Sequence, residues 1–322
     1  MSRTLRLIFF LVGATLVTLM VWHAGPAQLW TVFRSSLWVI AALIPLWAAV
    51  YVLNAVAWRL LASAGGEPIP LPRAFLITLV TFAVNYSTPL ASFGGEPLKV
   101  VAATKFLGKR RAVGSVVAFR LLHALAHVLA WLLALIPAAI LLPHTPLILG
   151  GILVTGAIMT IVLVFLFSRH REGLAMHALG LLRRLPLLSR VAAKLEPRAA
   201  AFHEIDEHVT AVYTGNPRRF YAALGFELLG RFLALAEYWV ILYGMGLHVN
   251  PLMAFVVGSF SSLVVNVLIF LPFELGAKEG ALYVMFGWIG VTPALGIAAA
   301  ALSRMRELIW IAVGWALIWS MD

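Results

Sequence analysis

The sequence of 322 residues contains no cysteine and little charge. Without cysteine the chain can form no disulfide, no thiolate nucleophile and no Cys–metal site. Charged residues make up 11% of the chain, whereas an ordinary soluble domain has about 25%. The GxSxG, P-loop and glycine-rich dinucleotide motifs are also missing, and with them the usual signatures of serine hydrolases, nucleotide-driven motors and dinucleotide enzymes. These absences argue against a soluble enzyme.

The chain is unusually rich in apolar residues: 62% of its residues are hydrophobic, and the mean hydropathy is +0.98. A soluble protein of this size could not shield that much apolar surface from water, so the excess must face lipid. Runs of about 20 apolar residues, the length that a spanning helix needs, recur along the chain. Because these runs are continuous rather than alternating, they exclude a β-barrel. We predict an all-α fold, a polytopic transmembrane helical bundle forming one domain over 1–322.

The net charge of +11 comes from basic residues in the gaps between apolar runs. This distribution follows the positive-inside rule, so we expect no nucleic-acid partner. Arg3 and Arg6 place the N-terminus in the cytoplasm, before a first apolar run that we interpret as an uncleaved helix rather than a signal peptide. The polar stretch 168–217 is predicted to form amphipathic cytoplasmic helices on the membrane surface, with a solvated linker as the alternative.

Two apolar segments, 74–107 and 251–290, are interrupted by proline and glycine. The first contains Asn-Tyr-Ser-Thr-Pro followed by Gly-Gly-Glu, and the second contains Leu-Pro-Phe-Glu-Leu-Gly-Ala-Lys-Glu. Basic residues flank both ends of the first segment, and each of its halves is too short to span the bilayer comfortably. We therefore predict that each segment is a re-entrant hairpin of two broken helices. A pair of thin spans is the alternative.

The two interrupted segments match each other in register. In each, an asparagine precedes a proline, a glutamate follows that proline by seven residues, and an arginine follows the glutamate by 24 or 25 residues, with a polar residue three positions further on. The matched positions are Asn85 and Asn266, Glu96 and Glu279, Arg120 and Arg304, and His123 and Glu307. We predict two inverted repeats, at about 71–142 and 251–320. Paired broken helices of this kind are typical of transporters with a substrate site near the membrane midplane.

A charge inside a membrane costs at least about 2.5–3.5 kcal/mol, so each one requires a reason. The guanidinium groups of Arg120 and Arg304 suit a phosphate or carboxylate and could bind the anionic part of a lipid headgroup. Alternatively, they neutralise Glu96 and Glu279 and fix the helices. Lys99 could reach a phosphate, but we predict that it snorkels to the interface.

Six other charged or histidine positions are weaker candidates. Glu227 and Arg231 have the i,i+4 spacing of a self-contained helical pair. Glu237, without a local partner, is a candidate for proton coupling, and Lys278 could pair with an acid four residues earlier. The i,i+4 histidines at 123 and 127 have zinc-like spacing but no HExxH glutamate, so we interpret them as a packed or water-facing pair. We expect no metal or cofactor, including at the His- and acid-rich stretch 203–208.

The interrupted segments carry a family resemblance. The stretch 85–89, Gly95-Glu96, the basic loop 105–111 and Ala118-Phe119-Arg120-Leu121-Leu122 resemble the lysylphosphatidylglycerol synthase transmembrane (flippase-like, UPF0104-type) family. Pro272, Gly276, Lys278-Glu279-Gly280 and then Arg304 resemble its second signature. The likeness covers about 5–319. Family members commonly have a glutamate and an aspartate where Phe119 and His123 stand here.

The resemblance implies a lipid flippase of the bacterial inner membrane. Its cargo would be an anionic or aminoacylated phospholipid, a hopanoid or a glycolipid. Two-part synthases of this family carry an aminoacyl-transferase domain after the membrane part. The sequence ends three residues after the last predicted span, at Asp322, so we expect the transport half without that enzymatic activity.

Two other function classes stay open. One is a membrane-embedded lipid-modifying transferase, although the short, acid-poor non-cytoplasmic loops disfavour it. The other is a non-transporting partner that anchors lipid-biosynthesis enzymes through 168–217. Membrane lipids are the expected partners, and a homo-oligomer is left open.

Overall fold

The computed structural model describes residues 37–63, 66–87, 94–169, 215–268 and 276–321, together with positions 22, 27, 30 and 210. The predicted first helix, the turns at Pro89 and Pro272, the 203–208 stretch and most of 168–217 lie outside the described residues. Within the described part every regular element is helical, which confirms the all-α prediction.

Nine α-helices and a final 3-10 helix make up the described chain. In chain order the α-helices are α1 Leu37–Ala62, α2 Leu71–Ser87, α3 Glu96–Leu107, α4 Lys109–Leu141, α5 Pro146–Arg169, α6 Pro217–Gly244, α7 Pro251–Val267, α8 Ala277–Trp288 and α9 Pro293–Ala316. The 3-10 helix covers Leu317–Met321.

Helix length and composition agree with a membrane protein. Among the described residues, α1, α4 and α5 are long and apolar enough to cross a membrane. Helices α6 and α9 have 28 and 24 residues but carry ionisable side chains in their interiors. Helices α3 and α8 have 12 residues each. At 1.5 Å per residue they extend about 18 Å, well short of the roughly 30 Å hydrocarbon layer.

One end of the bundle is rich in basic residues, and we call it the basic end. There Arg219 of α6 donates to the Ser63 carbonyl oxygen (3.1 Å), and Arg111 of α4 donates to the Ala62 carbonyl oxygen (3.2 Å). Arg73 of α2 donates to the Ser320 carbonyl oxygen (2.9 Å). These bonds bring the end of α1, the starts of α2, α4 and α6, and the end of the described chain to the same side.

Helix α9 packs against two of the shorter helices, α2 and α8. A Cβ on Gly314 would lie 2.5 Å from the Cβ of Ala83 in α2, and one on Gly296 would lie 2.5 Å from the carbonyl oxygen of Leu282 in α8. Small residues allow such close approach of membrane helices. Helix α9 therefore contacts α2 near one of its ends and α8 near the other. Its central charged residues lie between these two contacts.

Candidate functional site

A polar cavity of about 240 Å³ lies in the centre of the bundle. Helices α1–α4 and α6–α9 all contribute to its wall, so residues of both proposed repeats meet there. Of the side chains predicted as site candidates, those that line it are Asn85, Glu96, Lys99, Arg120, His123, Arg231, Glu237, Asn266 and Lys278. Glu227, Glu279, Arg304 and Glu307 lie behind this lining.

The α2–α3 pair positions Arg120 at the cavity. The Asn85 side-chain oxygen accepts from the Gly95 N–H (2.7 Å), and its amide nitrogen donates to Glu96 (3.3 Å). Glu96 lies in the first turn of α3, where a helix favours negative charge. Arg120 Nη1 is 3.5 Å from the Glu96 carboxylate, and a quarter of its side chain is exposed. Arg120 therefore has a counter-ion and still faces the cavity.

The corresponding arginine of the second repeat is placed differently. Arg304 holds the Glu279 carboxylate with two bonds, Nε to Oε1 at 2.5 Å and Nη2 to Oε2 at 3.1 Å. Glu279 also accepts from the Gly276 N–H (2.9 Å), at the start of α8. Arg304 is buried and does not line the cavity. In this geometry Arg304 neutralises Glu279 and joins α9 to α8, which was the alternative given for it, and its role as a second headgroup ligand stays a prediction.

This difference predicts different effects of the two arginines on stability. Replacing Arg304 with leucine should lower the free energy of unfolding by about 3 kcal/mol, because the partly buried Glu279 carboxylate loses the cation that pairs with it. Replacing Arg120 with alanine should cost less, about 1 kcal/mol, because its contact with Glu96 is 3.5 Å long and the Asn85 amide still donates to that carboxylate. Thermal unfolding of the two purified variants in the same detergent compares them. Equal losses in both variants would contradict the assignment.

Two further ion pairs surround the cavity on the α9 side. Lys278 contacts the Glu307 carboxylate, and its ammonium lies 3.4 Å from the Ser303 hydroxyl. Arg306 donates to Glu237 at 2.6 Å, and its guanidinium lies 3.6 Å above the Trp47 ring. Glu237 therefore has a partner on α9, and Arg306 is a site residue that the sequence reasoning did not single out.

His123 lies between Glu227 and Arg231, the two residues that were predicted to pair with each other. His123 Nδ1 contacts the Glu227 carboxylate, and Arg231 Nη2 lies 3.2 Å from His123 Nε2. His127 Nε2 is 3.3 Å from the same His123 nitrogen, so the two histidines form a packed pair. The prediction of a self-contained Glu227–Arg231 pair is wrong, because the imidazole of α4 separates them. Within the described ranges, no group of three or more His, Asp or Glu side chains is arranged to hold a metal ion.

Lys99 does not snorkel to the interface, and that prediction is wrong. Its side chain is 2% exposed, and its Nζ lies 4.3 Å from the centre of the Trp58 ring and 4.1 Å from that of Phe119. Two aromatic faces attract an ammonium in the same way as a partial negative charge. They hold Lys99 beside the cavity, buried within the bundle.

The interior charges do not balance. Six cations, Lys99, Arg120, Arg231, Lys278, Arg304 and Arg306, meet five carboxylates, Glu96, Glu227, Glu237, Glu279 and Glu307. Among the described residues, Lys99 and Arg231 form no salt bridge with a carboxylate, and both line the cavity. The chemistry of the lining therefore favours an anionic ligand.

Unsatisfied polar atoms cluster around the same space. Seven cavity-lining residues contain buried polar atoms without a hydrogen-bond partner in the described part of the chain: Tyr51, Thr78, Glu96, His127, Arg231, Glu237 and Arg306. Buried polar groups of this kind are normally satisfied by water or a polar ligand. The cavity is therefore suited to a hydrated, polar group.

Comparison with known proteins agrees with a membrane function. A family model described as "Lysylphosphatidylglycerol synthase TM region" matches residues 6–314. A UPF0104 membrane protein of Methanothermobacter thermautotrophicus is 22% identical over 310 residues, which cover 92% of this chain and 90% of the relative. No solved structure matches the chain.

Proposed function

The chain belongs to the lysylphosphatidylglycerol synthase TM region family, and we propose that it moves a lipid with an anionic headgroup across the membrane that holds it. Family membership indicates a lipid-related role in a membrane. In the proposed mechanism the headgroup passes through the central cavity while the hydrocarbon chains stay in lipid, and the lipid is not chemically changed.

The observation that carries this proposal is the pair of cations without carboxylate partners, Lys99 and Arg231. A cation in an apolar bundle is costly unless an anion is near it. Two such cations that line one cavity can share a phosphate, whose oxygens accept from both side chains. Arg120 lines the same cavity with part of its guanidinium exposed, and it completes the proposed phosphate site.

We also propose that α2–α3 and α7–α8 are inverted, re-entrant hairpins. Two lengths support this proposal: the 17 residues of α2 and α7 and the 12 residues of α3 and α8 leave each helix short of a full span. Both pairs contribute residues to the cavity, as a site between two repeats requires. Movement of one pair against the other would open the cavity to each side in turn.

The basic end gives the proposed orientation. Arg59, Arg73, Arg111 and Arg219 lie at that end of the bundle. The positive-inside rule favours the cytoplasmic side for short loops rich in arginine and lysine. We therefore propose a bacterial inner membrane protein whose basic end faces the cytoplasm.

A leaflet-exchange assay tests the function. Purified protein in liposomes should exchange fluorescent phosphatidylglycerol faster than phosphatidylcholine, and Arg120→Ala should lower the phosphatidylglycerol rate by about tenfold, the effect of losing one charge-assisted contact. Lys109→Ala is the matched control, because it removes one exposed basic charge outside the cavity.

The same liposomes distinguish the other function classes. Mass spectrometry should find the lipids unchanged, whereas a new lipid species would favour a transferase. No exchange of either lipid by folded wild-type protein would contradict the proposal and favour a non-transporting partner of lipid-biosynthesis enzymes.

A further inference from the structure

A second, apolar slot of about 120 Å³ lies beside the polar cavity, among α4, α5, α7 and α8. Its walls are formed mainly by hydrocarbon side chains, including Leu135, Ile152, Phe260 and Leu263. The slot has half the volume of the polar cavity, and its apolar lining offers little to the polar atoms of a headgroup. Its lining suits a segment of a hydrocarbon chain.

The slot and the polar cavity share a wall. Trp131 lines the slot and donates its indole N–H to the hydroxyl of Ser262 (3.4 Å), which lines the cavity. One helical turn before Trp131, His127 lines the cavity, and the centres of the two rings are 5.1 Å apart. A molecule with one polar and one apolar part could therefore occupy both spaces at once.

One polar atom within the slot lacks a partner. Ser259 is 4% exposed and lines the slot, and its hydroxyl has no hydrogen-bond partner among the described residues. A buried hydroxyl without an acceptor costs about 1–3 kcal/mol. An ester carbonyl at the start of an acyl chain would supply that acceptor in otherwise apolar surroundings.

The slot also lies next to the surface that faces lipid. Helix α5 forms one of its walls, and the outer face of α5 is largely exposed, with Leu147 at 76% and Leu153 at 73%. Six per cent of the spanning window of α5 is buried. A chain held in the slot can therefore continue directly into the bilayer.

We propose that the slot binds the ester-proximal segment of an acyl chain of the same lipid whose headgroup occupies the polar cavity. This inference rests on the proposed function for the identity of the headgroup site. Trp131 then separates the two parts of the lipid, with the headgroup in the polar cavity on the His127 side and the ester near Ser259. The slot would select lipids with ester-linked chains over molecules that offer only a soluble anionic head.

Photocrosslinking in nanodiscs tests the slot without using transport. The probe is phosphatidylglycerol with a diazirine near the ester end of one acyl chain. In Gly151→Leu the new side chain grows from a position that lines the slot, where an added Cβ meets nothing within 4 Å. Gly150→Leu is the matched control, since it has equally open surroundings but does not line the slot.

The expected result in the wild type is labelling of residues that line the slot, Ile148 and Ile152 on α5 and Phe260 and Leu263 on α7. Gly151→Leu should reduce it by about tenfold, and Gly150→Leu should leave it unchanged. Ser259→Ala should reduce it severalfold. Equal labelling in Gly151→Leu and wild type, or labelling restricted to the outer face of α5, would overturn the slot. The proposed function depends on a different result: it is contradicted if wild-type protein shows no headgroup-dependent exchange in the leaflet-exchange assay.

Discussion

Replacing Arg306 with methionine is expected to lower the free energy of unfolding by about 3–5 kcal/mol, the usual effect of removing one partner from a buried ion pair. Arg306 is 2% exposed. It donates to Glu237 of α6 at 2.6 Å and lies on the Trp47 ring of α1. Its loss would leave Glu237 charged and buried, with the Trp47 indole N–H (2.9 Å) as its remaining donor in the described structure.

A second substitution separates charge from packing. Adding Glu237→Gln to Arg306→Met removes the stranded charge and should restore at least half of the lost stability. Chemical unfolding in one detergent, followed by tryptophan fluorescence, measures all three proteins. A double variant less stable than the single one would show that the pair does not act through charge, and would contradict this assignment.

The second large effect concerns transport. Lys99→Met should slow phosphatidylglycerol exchange by roughly 10- to 100-fold, because a hydrogen bond to a charged group contributes about 1.5–3 kcal/mol. Methionine keeps an unbranched side chain between the Trp58 and Phe119 rings. Stability should therefore stay the same or rise, since a buried cation without a carboxylate is removed.

Lys109→Met is the control for Lys99→Met, because Lys109 is exposed at the start of α4. It should leave the exchange rate within about twofold of wild type. Unchanged phosphatidylglycerol exchange in a folded Lys99→Met protein would remove Lys99 from the headgroup site. Equal slowing in both lysine variants would point to a surface effect instead.

Several features of the fold are local in sequence and were predictable. Proline and glycine mark the breaks before α3 and α8, and long apolar runs coincide with α1, α4 and α5. The contacts of Glu96 with Arg120 and of Glu279 with Arg304 follow from the matched spacing of the two segments. The sequence suggested the contact of Glu279 with Arg304. Whether Arg304 also faces a substrate depends on where the cavity lies, which the sequence does not show.

The remaining contacts of the site join helices that are distant in sequence. Trp58 belongs to α1 and Phe119 to α4, so the aromatic site of Lys99 depends on how these helices pack. Phe119, where the family resemblance implies a glutamate, supplies one of these rings. The i,i+4 rule failed at Glu227 because it considers one helix alone, whereas His123 enters from a neighbour.

A cationic, water-filled cavity within the bundle can be probed by thiol reactivity, because the chain has no native cysteine. Ala234 is 6% exposed and lines the cavity, while Leu153 of α5 is 73% exposed on the outer face. Each is replaced by cysteine, and the proteins are placed in phosphatidylcholine nanodiscs. Reaction rates are then measured with methanethiosulfonate reagents of opposite charge.

A cationic cavity concentrates anions, so the negative reagent should modify Ala234→Cys at least about tenfold faster than the positive one. Leu153→Cys, in lipid, should react slowly with both. Equal rates for the two reagents at position 234, a faster positive reagent, or no reaction there would contradict the account.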